Sequence, residues 1–100
     1  MWTLESGIKI ARKIELVCIP LGFHCAIGGS VLHKGESKKD LDIFIYPHKR
    51  NNGEVVSKLL LGLAVLDVVV TNETTHYHYA DSKRVVITRI GEKRIDFFIL

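Results

Sequence analysis

Between Leu4 and Leu21 the apolar residues Ile10, Ile14, Val17 and Leu21 return at i, i+4, i+7 and i+11, while Lys9, Arg12, Lys13 and Glu15 fall mostly elsewhere around the wheel. That period predicts an amphipathic first helix, ended by Pro20 and Gly22. His24 to Gly28 is a short apolar stretch closed by Gly-Gly, which predicts a buried strand running into a tight turn, with Ser30 as N-cap of a short helix over Val31 to Lys34. Asp40 to Tyr46 has strand composition and stops at Pro47. After the loop chemistry of Pro47 to Gly53, Glu54 to Ala64 reads as helix and Val65 to Thr71 as strand. His76 to Ala80 and Arg84 to Ile90 read as strands around a polar turn at Asp81-Ser82-Lys83, and a last strand spans Arg94 to Leu100. The order predicts one α+β layer structure, a mixed sheet with helices packed on it.

A chain of 100 residues, 47% hydrophobic and 25% charged with only 8 Gly and 2 Pro, excludes disordered and collagen-like readings and suits a single domain over 1–100. The net charge of +3 is a mild excess that suits a phosphate-bearing partner, far from the field of a dedicated nucleic-acid binder. Charges interrupt the N-terminal apolar residues where a secretion signal needs an unbroken core, and the apolar run Leu59 to Val70 falls short of the roughly 20 residues of a membrane span. The expectation is a soluble, cytoplasmic protein with no membrane partner. Cys18 and Cys25 match neither a CxxC pattern nor a zinc set, so they read as reduced structural thiols.

The chemistry concentrates between Gly28 and Ile45. Residues two apart on a strand share a face, so Asp40 and Asp42 aim their carboxylates together while Leu41 and Ile43 point the other way. Two anions in one place raise each other's pKa unless a cation lies between them, and a hard divalent ion with oxygen ligands is a natural counter-ion. The plainer alternative is a solvated strand start balanced by Lys38 and Lys39. Gly28-Gly29-Ser30 offers backbone N–H groups and a hydroxyl to one concavity, a geometry that holds phosphate oxygens, although it also serves as an ordinary strand-to-helix turn. A third carboxylate, Asp96, lies near the start of the last strand between Ile95 and Phe97, where burial demands a partner. Arg94, two residues before it, is one candidate partner. A metal site shared with Asp40 and Asp42 is the other, expected if the strand ending at Gly28 runs antiparallel to the strand from Asp40 and the last strand runs parallel to the latter. Strands about 4.8 Å apart would then bring the three acids to one edge, compatible with two metals roughly 4 Å apart.

These residues resemble the nucleotidyltransferase superfamily that includes DNA polymerase β, the CCA-adding enzymes, aminoglycoside nucleotidyltransferases and the small antitoxin-type minimal nucleotidyltransferases. The shared pattern is a hydrophobic residue before Gly-Gly or Gly-Ser, a spacer, two acids alternating with hydrophobic residues, and a later acid on a strand. Here Ile27-Gly28-Gly29-Ser30, nine intervening residues, Asp40-Leu41-Asp42-Ile43 and Ile95-Asp96-Phe97 match it in order. The resemblance implies an Mg²⁺- or Mn²⁺-dependent transfer of NMP from an NTP to a hydroxyl on RNA, tRNA, a partner protein or a small molecule. It implies that Asp40, Asp42 and Asp96 bind the metal and carry catalysis, and that Gly28, Gly29, Ser30, Lys34 and Lys39 hold the nucleotide. Several relatives carry an Arg shortly after the Gly-Ser turn; here Val31-Leu32-His33-Lys34 leaves His33 or Lys34 as the cation. The chain ends four residues past Asp96, so the helical domain by which larger relatives hold a base is expected to be missing. The alternative is a binding module of the same fold with little turnover, such as an antitoxin-like protein or a nucleic-acid-associated factor.

Weaker signals remain. His76 and His78 share one strand face and Tyr77 and Tyr79 the other, a metal pair or base-stacking platform if not a plain strand. Lys49-Arg50-Asn51-Asn52 reads as solvated loop, with contact to an acidic acceptor as the alternative. Trp2 is expected against the first helix or at a contact within a homo-oligomer.

Overall fold

The structure, a computed structural model, describes residues 1–48, 53–78 and 81–100, with side chains described for 1–48, 57–71 and 84–100. The first helix, α1 (Leu4–Cys18), opens on a capping box in which Thr3 and Ser6 satisfy each other's backbone N–H groups. It buries Ile10, Ile14 and Cys18, while Val17 and Leu21 pack at the margin. Pro20 and Gly22 act as expected: a 3₁₀ turn over Ile19–Leu21 closes on Gly22, which takes a left-handed conformation. Then follow β2 (Phe23–Gly28), α2 (Gly29–Lys34), β4 (Asp40–Pro47), α3 (Gly53–Val65), β5 (Val68–His78), β6 (Asp81–Ile90) and β7 (Lys93–Ile99). Two short strands, β1 (Trp2–Thr3) and β3 (Glu36–Ser37), pair with one another.

The main sheet has the order β2-β4-β7-β6-β5. β2 runs antiparallel to β4, and β7 runs parallel to β4, the arrangement on which the convergence of the acids was conditional. β4 alternates half-buried with buried residues from Asp40 to Ile45. Its inward side chains Leu41, Ile43 and Ile45, with Ile95, Phe97 and Ile99 of β7, meet Ile10, Ile14, Cys18, Val31, Leu59 and Leu63 of the helices in one core. Asp40, Asp42 and Phe44 are left on the opposite face.

Three expectations need correction. Ser30 does not cap α2: the helix starts two residues earlier, at Gly29, Gly28 is its N-cap, and no side chain supplies a capping bond. Val65 to Thr71 and His76 to Ala80 are not separate strands, because β5 runs unbroken from Val68 to His78 through a bulge near Val70 and Asn72. Asp81-Ser82-Lys83 is the start of β6 rather than a turn, drawn into the ladder opposite His78, Tyr77 and His76. Trp2 keeps to the first of its two expected places: 4% exposed, it shares the chain's own core with Ile10 and Ile14 of α1, its indole N–H donates to the carbonyl of Arg94 at 2.8 Å and Lys93 lies over its ring.

Candidate functional site

Ser37 sets the start of β4. Its hydroxyl accepts the backbone N–H groups of Lys39 and Asp40, both at 3.3 Å, and Ser37 is itself held by pairing with Trp2. From there the strand period brings Asp40 and Asp42 out on one face. The parallel register places Asp96 beside Asp42 and Arg94 beside Asp40, while Gly28 pairs with Asp42 from the other side. One carboxylate oxygen from each of Asp40, Asp42 and Asp96 lies within 4.8 Å of the others.

Glycine at positions 28 and 29 makes this packing feasible. A Cβ at Gly28 would run into the ring of Phe44, and one at Gly29 into the carboxylate of Asp42; Gly29 also has φ +66°, where a side chain is strained. The turn therefore presses its backbone against Asp42 and Phe44.

Electrostatics follow from the crowding. Burial first, and then the Asp40 and Asp96 charges, push Asp42 up to about 6. Burial and the Asp96 carboxylate, with which a proton can be shared, also raise Asp40 above its ordinary range. Arg94 opposes both shifts. It forks onto Asp96, donating from Nε to Oδ1 at 2.7 Å and from Nη2 to Oδ2 at 3.0 Å, a bidentate pair on a carboxylate that is only 9% exposed. Both sequence readings of Asp96 therefore hold geometrically at once: it is in the acidic cluster, and it is paired with Arg94.

Ser30, Lys34 and Lys39 are exposed and line one polar pocket of about 400 Å³ together with Glu36, Ser37 and Lys38. Lys38 and Lys39 thus face this pocket. Among the described residues the ion pair in the cluster is Arg94 with Asp96, while Lys39 acts on Asp40 at longer range. Sequence reasoning missed Lys38 and Ser37 as pocket residues; the available signal was a Lys-Lys pair directly before the acidic motif. The side chains of His76, Tyr77 and His78 and the whole of Tyr79 lie outside the described residues, as does Lys49-Arg50-Asn51-Asn52. Among the described residues, no helix is long and apolar enough to cross a membrane.

No family model and no curated protein matches the chain. Among solved structures, it is similar to a cytoplasmic RNA terminal U-transferase, with a TM-score of 0.63 and 11% identity. That similarity covers 97% of this chain but 29% of the U-transferase chain, so the present sequence spans under a third of that protein's length. At such low identity the likeness speaks for the fold alone: the chain has an α+β, nucleotidyltransferase-like fold built on a mixed five-stranded sheet.

Proposed function

We propose that the chain is a nucleotidyltransferase that moves NMP from an NTP to a hydroxyl acceptor, with RNA the leading acceptor class. The observation that carries the reading is the meeting of Asp40, Asp42 and Asp96 within 4.8 Å, close to a pocket lined by Lys34, Lys38 and Lys39. The donor set fits a hard divalent cation: three carboxylates share one face, where burial and their mutual repulsion disfavour the charged forms and Arg94 offsets this only in part. Mg²⁺ or Mn²⁺ held by these three residues would neutralise charge developing on phosphate oxygens and acidify an acceptor hydroxyl.

The chain's own residues supply the rest. Ser30, Lys34 and Lys39 hold the outer phosphates, and the close backbone approach at Gly28 and Gly29 fixes the α-phosphate beside Asp42. The acceptor oxygen attacks the α-phosphorus, a new P–O bond forms, the bond to the bridging oxygen breaks, and pyrophosphate leaves. Asp96, nearest the core, takes the hydroxyl proton. Incubation with each labelled NTP and total cell extract tests the reading: a labelled macromolecule whose labelling is lost in Asp42→Asn supports it, and no labelling with any NTP overturns it.

One observation favours a second reading. Arg94 already engages both oxygens of Asp96, as expected of a binding module with little turnover, an antitoxin-like protein or a nucleic-acid-associated factor. A stoichiometric partner that stays bound when Asp40→Asn and Asp42→Asn are combined would favour it.

A further inference from the structure

Arg94 occupies an unusual place in this site. The strand period puts it on the same face as Asp96, and the parallel register sets it beside Asp40. All three acids act on it, Asp96 most strongly and then Asp40 and Asp42. Its backbone is fixed, because the Trp2 indole holds the Arg94 carbonyl and β7 is paired on both sides. Its side chain is 41% exposed, so the guanidinium ends at the solvent edge with room to move. Asp96 lacks that freedom: it is almost fully buried, and both of its oxygens are engaged by the fork.

A guanidinium and a divalent cation placed on the same carboxylate repel each other, and in a half-buried site that repulsion is poorly screened. The two compete for Asp96. A nucleotide changes the balance, because its phosphates give the guanidinium a second anion of matching fork geometry within a side-chain swing. We infer that Arg94 is the resident counter-cation of the acidic triad, a positioning residue whose grip on Asp96 keeps divalent-cation binding weak until nucleotide phosphate draws the guanidinium away. The inference rests on the nucleotidyltransferase reading and concerns the order in which that site fills. Before loading, Arg94 neutralises a buried carboxylate and holds its two oxygens in place. After loading, the same guanidinium braces a phosphate. Metal and nucleotide therefore bind with positive coupling, part of which passes through this one side chain.

The test is Mn²⁺ binding to the intact chain without nucleotide, followed by electron paramagnetic resonance of the free ion, for the native chain, Arg94→Gln and Arg94→Lys. Removal of the competing charge is expected to tighten Mn²⁺ binding roughly ten-fold or more in Arg94→Gln, the size of effect a neighbouring charge has on a carboxylate. Arg94→Lys, which keeps a charge but loses the fork, falls between. Addition of a non-hydrolysable NTP tightens Mn²⁺ binding more in the native chain than in Arg94→Gln. A residue that merely supports Asp96 gives the opposite sign, because its loss lets the carboxylate drift and weakens the metal; equal or weaker Mn²⁺ binding in both variants overturns the inference. If nucleotide transfer persists in the native chain beside that result, the inference alone falls. If no form binds Mn²⁺ with or without nucleotide and no transfer occurs, the metal-dependent reading falls and takes the inference with it.

Discussion

Gly29 and Asp42 are in such close contact that the carboxylate fills the volume where a side chain at position 29 would stand. Gly29 is held at φ +66° at the first residue of α2, and Asp42 lies on β4, paired with Gly28. The turn and the acidic strand therefore fix one another: moving either changes the distance between the backbone at Gly29 and the carboxylate cluster.

Gly29→Ala tests that relationship. The left-handed backbone costs an alanine about 1–2 kcal/mol, and the displaced Asp42 carboxylate adds to this. We expect urea unfolding to show a loss of at least that size and nucleotide transfer to disappear. An alanine at Gly35, also at positive φ but with nothing within 4 Å of its added Cβ, should lose stability and keep transfer. Retained transfer in Gly29→Ala would remove Asp42 from the reacting centre.

Asp42→Asn separates charge from shape. The amide preserves volume and removes one of three crowded anions, so the fold is expected to persist with unchanged circular dichroism. Apo stability at neutral pH should rise, because Asp40 and Asp96 lose a like-charged neighbour. Transfer of labelled nucleotide should fall to background in the same preparation. A variant that is both destabilised and active would contradict the shared-site assignment.

The raised pKa of Asp42 gives stability a definite pH dependence. In the unfolded chain the carboxyl ionises near its ordinary 3.8, while in the fold it keeps its proton up to about 6. Between those values the folded state binds more protons, so this group's contribution falls as pH rises through the window and stays lower above it. Asp40 shifts in the same direction and adds to the fall. Apo melting temperatures are therefore expected to drop from pH 4.5 to pH 7, with a smaller drop in Asp42→Asn. A flat profile in the native chain would show that the crowding is relieved in solution.

Much of this arrangement was legible in the sequence, and the reasons are local. Asp40-Leu41-Asp42-Ile43 alternates with period two between hydrophobic flanks, so its facing follows from strand geometry. The turn at Gly28-Gly29 was marked by residues that tolerate positive φ. What stayed hidden depends on distant contacts. The β1–β3 ribbon joins Trp2 to Ser37, a pairing no local pattern announces, and it ties the buried Trp2 to the residue that launches β4. The polar stretch 72–75 of β5 drew no strand reading and the start of β6 read as a turn because their residues are polar, yet a long antiparallel ladder satisfies their backbone groups. Arg94 and the acidic pair stood as alternative partners of Asp96; only the register of β4 and β7 brings both to it.

A ligand that binds the folded chain alone raises its stability by about 2.7 kcal/mol at a hundred times its dissociation constant, so millimolar Mg²⁺ or Mn²⁺ with NTP is expected to raise the melting temperature by several degrees. The pocket and the acids should contribute separably. Lys34, Lys38 and Lys39 are exposed, so alanines there leave the core untouched, and the shift caused by nucleotide should shrink while the shift caused by metal alone persists. Asp40→Asn should do the reverse, removing the metal-only shift and with it most of the nucleotide effect. If the lysine variants respond to metal with nucleotide as the native chain does, the phosphates do not lie in the pocket between α2 and the start of β4, and the orientation assigned to the nucleotide is wrong.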